Sequence, residues 1–189
     1  MSFSTVIATT SFVSVLTDGR HLSSGAKEIV NEEFCKVMDL TENRFITFGG
    51  SVKRIFSIIE MLQESIKEKS LYDSVIEIRN YLSTIENEDK VMLCFGEFKN
   101  NIPQLYTLNS NELEIQTHIP DPGELTSICV SGHKELFDRD FNDIIVEELS
   151  RLGAINPDTV LEAQSKLIDY IASKDKSVNT NKFKLLLPV

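Results

Sequence analysis

The feature that most constrains this chain is where its hydrophobic period changes. Up to Phe48, apolar residues come in short runs rich in β-branched side chains. From Val52 they recur at helical spacing, return to strand-like runs between 91 and 131, turn helical again to about 173, and close on "KFKLLLP". A strand exposes alternate residues on one face and a helix every third or fourth, so each switch of period is a switch of element. Blocks of strands and helices segregated in this way predict α+β layers rather than an alternating βα fold.

The helical blocks are amphipathic. Val52, Ile55, Ile59, Leu62 and Ile66 predict a helix near 52–68, and Val75, Ile78, Leu82 and Ile85 one near 72–88. Phe141, Ile145, Leu149 and Leu152 predict a helix near 133–152, and Val160, Ala163, Leu167 and Ile171 one near 157–173. Asn156 can cap that last helix, and Pro157 suits its first position. Two amphipathic pairs need two apolar sheet faces to cover. The expectation is a four-layer αββα sandwich: two stacked antiparallel sheets flanked by two helix pairs, in one domain spanning 1–189.

The strands fill in around this frame. Ser4–Thr10 and Phe12–Thr17 form a predicted hairpin that ends at "DGR", and "EFCKVMDL" and "RFITF" form a second, closed by Gly49 and Gly50. "VMLCFGEF" is nearly continuous in apolar residues, as a strand buried on both faces requires. "PQLYTLN", "ELEIQTH" and "LTSICVS" supply three more.

Composition narrows the function classes. A formal net charge of −10 disfavours nucleic acid, and no basic stripe with interleaved aromatics occurs. No apolar run is long enough to cross a bilayer and the start lacks a secretory signal, so a cytoplasmic protein without a membrane partner is expected. Cys35, Cys94 and Cys129 are odd in number and widely spaced, which reads as buried free thiols rather than disulfides or a zinc site. His21, His118 and His133 lack metal-ligand spacing, and there is no Walker-type phosphate loop, so no metal and no cofactor are expected.

The opening stretch "MSFSTVIATTSFVSVLTDGR" begins its first strand almost at once, although chain ends usually fray. Either that strand is merely central, or the free end of the chain is the reactive group. "DGR", "CKVMDL", "FGGS", "ICVSGH" and "ASKDKSV", in this order and spacing, resemble the proteasome β subunit and its bacterial heat-shock relative, both N-terminal-nucleophile hydrolases. The resemblance covers nearly the whole chain.

It implies a set of roles. Ser2, exposed by removal of Met1, falls at the nucleophile position, and its own α-amine would be the base. Asp18 matches the structural aspartate and Lys36 the essential lysine. Gly49 matches the glycine whose N–H faces the oxyanion, with Gly50 taking that role if the register shifts by one. Ser131 and Gly132 match the serine-glycine element beside the nucleophile, and Asp175 the aspartate that supports that serine. Val178 stands where the family carries a second serine, and "NTNK" where glycines usually follow.

The resemblance further implies a peptidase or amidase acting on peptides or unfolded protein, assembled as a homo-oligomer, with an ATPase unfoldase as partner for protein substrates. A non-catalytic subunit that serves ring assembly is the alternative, and a small-molecule amidohydrolase a third. Taken singly, each motif has a plainer role: a turn at Asp18, an outward edge lysine at Lys36, a helix start at Gly49, a helix cap at Ser131.

Overall fold

The computed structural model describes residues 3–23, 28–85, 90–131 and 137–188. In chain order the elements are β1 (Phe3–Ala8), β2 (Phe12–Asp18), β3 (His21–Leu22), β4 (Ile29–Asn31), β5 (Val37–Thr41) and β6 (Arg44–Gly50). Helices α1 (Val52–Ser65) and α2 (Leu71–Ser83) follow, then β7 (Val91–Lys99), β8 (Ile102–Asn109), β9 (Ile115–His118) and β10 (Thr126–Ser131). Helices α3 (Phe141–Leu152) and α4 (Pro157–Lys174) lead to β11 (Lys182–Pro188).

Two antiparallel sheets dominate. One has the order β10-β1-β2-β11, the other β5-β6-β7-β8-β9, and a small β3-β4 ladder stands apart. Three apolar clusters mark the layers. Val6, Ala8, Val13 and Val15 meet Phe45, Cys94 and Leu105 between the sheets. Phe3, Ile7, Phe12 and Leu16 face α3 and α4 on one outer side, through residues such as Ile145, Leu167 and Ile171. Ile46, Phe48, Leu93 and Leu108 face α1 and α2 on the other, through Ile58, Leu62, Val75 and Ile78. Alternate residues of β1 and β2 therefore enter different cores, and both strands are buried along their whole length. The αββα sandwich is the observed architecture.

Local chemistry sets the helix limits. α2 starts where the Ser70 side chain accepts from Asp73 N–H, and α4 where Asn156 accepts from Asp158 and Thr159 N–H in a capping box with Pro157 behind it. α3 begins at Phe141, where Asp140 caps it by accepting from Asn142 N–H; of its predicted start, 137–140 are not helical and 133–136 lie outside the described residues. α1 ends at Ser65 and α2 at Ser83, short of their predicted ends; of the latter extension, 86–89 lie outside the described residues. The β3-β4 ladder was absent from the sequence reading, because two- and three-residue strands carry no period.

Two expectations about burial need correction. Of the cysteines only Cys94 is buried; Cys35 is exposed and Cys129 is half-buried. Cys35 precedes β5 rather than lying within it, which removes it from the core. Desolvation pushes the Cys94 thiol up to about 12, so it stays protonated and inert.

One buried polar side chain fixes how α4 seats on its sheet. Gln164 is fully buried; its Oε1 accepts from Ser14 Oγ at 2.6 Å, and its Nε2 donates to the carbonyls of Thr5 and Ser14 at 3.1 and 3.2 Å. Removing the amide strands the Ser14 hydroxyl in an apolar layer. Gln164→Ala is expected to destabilise the protein by about 2–4 kcal/mol, read as a lower urea midpoint, because it combines lost hydrogen bonds with a cavity.

Candidate functional site

β2 ends on a carboxylate that is wholly enclosed. Asp18 is 0% exposed, and its Oδ1 accepts from Phe3 N–H at 2.8 Å and from Lys36 Nζ at 2.5 Å. Its Oδ2 accepts from Arg20 N–H at 2.8 Å, a local turn that reverses the chain after β2. The charge is thus held by two backbone amides and one ammonium, which is how a buried carboxylate becomes tolerable. This cluster sits at the leading end of β1, since Phe3 is that strand's first residue.

Lys36 reaches it from just ahead of β5. Its carbonyl continues the sheet, accepting from Phe48 N–H at 3.1 Å and Thr47 Oγ1 at 2.8 Å, while its side chain turns inward and is 2% exposed. The outward edge-strand role is thereby excluded. Burial pulls the Lys36 pKa below the ordinary lysine range; Asp18 opposes that by attraction and hydrogen bonding, and Arg20 adds a smaller downward push.

A second ring of contacts fixes this pair. Gly19 N–H donates to Asn179 Oδ1 at 2.9 Å, and Asn179 Nδ2 donates to the Glu32 carbonyl at 2.9 Å. Glu32 also pairs with the Arg20 guanidinium at 3.0 Å, and Gly19 O accepts from Phe34 N–H at 2.8 Å. A Cβ at Gly19 would lie 2.7 Å from Glu32 O and 2.8 Å from the Phe183 ring, so only glycine lets these segments close. His21 stacks beside Phe34 with ring centroids 5.1 Å apart; burial first and the Lys36 charge second lower its pKa, favouring neutral imidazole.

The remaining predicted residues fall as follows. Ser131 ends β10, is 5% exposed, and stands in register opposite Phe3. Asp175 caps the C-terminus of α4; its Oδ1 accepts from Ser177 N–H at 2.8 Å, and its Oδ2 is buried without a hydrogen-bond partner. Among the described residues, the hydrogen bond that the Asp175 side chain makes is the one it accepts from Ser177 N–H. Ser2 and Gly132 lie outside the described residues.

Gly49 and Gly50 end β6. Phe48 N–H points to β5, at Lys36 O, and Ser51 N–H points the other way, to Lys90 O. Strand alternation then turns Gly49 N–H toward β7 and Gly50 N–H to the Lys36 side. Gly50 has φ +108°, and a Cβ there would lie 2.1 Å from Lys90 O, so the backbone accepts no side chain.

No protein-family profile matches the sequence, and no curated protein matches it. Among solved structures it is similar to the crystal structure of eukaryotic HslV from Trypanosoma brucei, with a TM-score of 0.68 at 13% identity over 99% of each chain. The chain has the HslV fold. The likeness runs through the whole αββα sandwich, from β1 to β11.

Within that fold, sequence reasoning had found Asp18 and Lys36 but missed Arg20, Glu32 and Asn179. The Asn179 bonds span 160 and 147 residues, a separation at which no local pattern carries a signal.

The buried pair can be tested by itself. Lys36→Met leaves a carboxylate buried with one donor fewer and is expected to cost about 3–5 kcal/mol. The double variant Lys36→Met with Asp18→Asn removes both charges and is expected to recover a large part of that loss. Denaturant unfolding of the two single variants and the double variant checks the cycle; additive losses would mean the two side chains are not coupled.

Proposed function

We propose that this chain is an N-terminal-nucleophile peptidase, active when its processing makes Ser2 the first residue. The observation that carries the reading is the enclosed Asp18 carboxylate, which holds both the Lys36 ammonium and the Phe3 amide at the leading end of β1. A lysine placed there at the cost of burial serves charge at the chain's start better than it serves stability.

The chemistry runs in two halves. The Ser2 α-amine, with a reference pKa near ~8 and lowered by the Lys36 cation, accepts the proton of the Ser2 hydroxyl. The oxygen forms its bond to the substrate carbonyl carbon, and the carbonyl electron pair moves onto oxygen. Gly50 N–H, rather than Gly49 N–H, donates to that oxyanion, a contribution of about 3 kcal/mol. Collapse breaks the C–N bond; the leaving amine takes the proton from the ammonium, and Ser2 is left as an ester. Water, deprotonated by the same amine, then releases the acid and restores the hydroxyl. Ser131, opposite Phe3, orients the amine. Asp175 takes no step.

We also place self-association on the first helix pair, whose outer faces expose Phe56 of α1 and Tyr72 of α2. Light scattering is expected to give a mass well above the 21.4 kDa of one chain; a monomer at every concentration rejects the assembly. An ATPase unfoldase partner belongs to the reading only for folded protein substrates.

The decisive measurement is turnover of fluorogenic peptides by protein whose N-terminal mass confirms Ser2 as first residue. Ser2→Ala and Lys36→Ala are each expected to lose at least about 100-fold in kcat/KM, as for removal of a nucleophile or of an essential charge. The pH profile should be bell-shaped. Its acid limb rises as the amine loses its proton, and its alkaline limb falls as Lys36 loses its own, below the ordinary lysine range because burial lowers that pKa. Equal rates in all three proteins, or no turnover by the correctly processed chain, would favour the assembly-only subunit.

A further inference from the structure

The five-stranded sheet reaches further than the four-stranded one. β10, the edge of the smaller sheet, packs over β6 and β7, so the inner face of β8 and β9 is left without a facing strand. That face is polar where a sandwich interior is usually apolar: Thr107 and Asn109 on β8, Gln116 and His118 on β9, and Glu114 just ahead of β9. Together with β10 and the segment from Phe137 to Asn142, these residues enclose a trough of about 580 Å³. Met92 and Ile128 supply apolar floor.

Among the described lining residues, the charges without an ion-pair partner are of one sign. The Arg139 guanidinium is committed to Glu147, the Asp138 carboxylate to the Tyr170 hydroxyl, and Asp140 to the cap of α3. The His118 ring hydrogen-bonds Thr107 Oγ1 at 3.0 Å, and burial lowers its pKa, so it adds no cation near neutrality. Glu112 and Glu114 make no ion pair or side-chain hydrogen bond among the described residues. Among the described lining residues, these two are the charged groups whose side chains make neither an ion pair nor a hydrogen bond.

The trough neighbours the candidate site along β10 and β7. β10 lines it from Ser127 to Val130 and ends at Ser131 opposite Phe3, and Met92 stands in register with Gly49. Among the described strands β10 pairs only with β1, which leaves its other edge able to take an added strand. Ser127 Oγ, on this wall, is buried without a hydrogen-bond partner.

We propose that the trough binds one flank of an extended peptide substrate, with the peptide lying along β10 and a lysine or arginine side chain on Glu112 and Glu114. This rests on the peptidase reading above and adds to it a preference for a basic residue a few positions from the cleaved bond.

The test is a set of fluorogenic peptides in which one lysine is moved along an otherwise neutral sequence, assayed with the wild type and with Glu112→Gln/Glu114→Gln. The wild type is expected to favour lysine at one or two positions. The variant should lose about fivefold in kcat/KM for those peptides while cleaving the neutral parent unchanged, and salt should reproduce the loss. No positional preference in the wild type, or a preference that survives in the variant, overturns the proposal while leaving the peptidase reading intact. If no peptide is cleaved, anisotropy of a labelled lysine peptide on Ser2→Ala protein decides. Binding weakened by the two Glu→Gln changes upholds the trough although the peptidase reading has failed; equal or absent binding rejects it.

Discussion

A carboxylate sealed from water at the end of β2 organises the whole end of the molecule around it. Asp18 has to find donors for both oxygens, and it takes them from three stretches of chain: the first residue of β1, the turn after β2, and the lysine ahead of β5. Each donor imposes a position on its own segment. Phe3 must begin its strand there, Arg20 must close its turn there, and Lys36 must turn its side chain inward while its carbonyl stays bonded to β6. The Glu32, Arg20 and Asn179 contacts follow from that demand, because they hold the two loops that carry these donors.

Such an arrangement is a poor way to gain stability. Two buried charges cost solvation that their attraction returns only in good geometry, and an apolar pair of similar volume often does as well. Stability comes from the three apolar layers and from Gln164, which satisfies every polar contact it makes. The fold thus divides its labour: dry layers supply the free energy, and one wet-chemistry cluster at the strand ends uses part of it.

Much of this was legible in the chain itself. The changes of period gave the layers, because each helix pair had an apolar stripe that only a sheet face could cover. The approximate place of Lys36 and Asp18 was legible too, since short motifs hold their spacing. What was lost depends on folding in three dimensions. Cys35 looks like a strand residue, but β5 begins only at Val37 and Cys35 is exposed ahead of it. Asn179 looks like loop filler until α4 and β11 bring it to Gly19. The choice between Gly49 and Gly50 turns on the parity of N–H groups along β6, which composition cannot encode.

The order of the four-stranded sheet has a consequence for synthesis. β2 lies between β1 and β11, so strands from the two extremes of the sequence are hydrogen-bonded to the same partner, with Lys182 in register with Asp18. A chain emerging from the ribosome can form the β1-β2 hairpin early, but the other flank of β2 stays open until β11 has been made. Asn179 comes just before that strand, so the tie between Gly19 and Glu32 is also among the last contacts to form. A partly made chain therefore holds Asp18 and Lys36 without the clamp that fixes them, and the cluster closes only once Asn179 has been made and has reached Gly19.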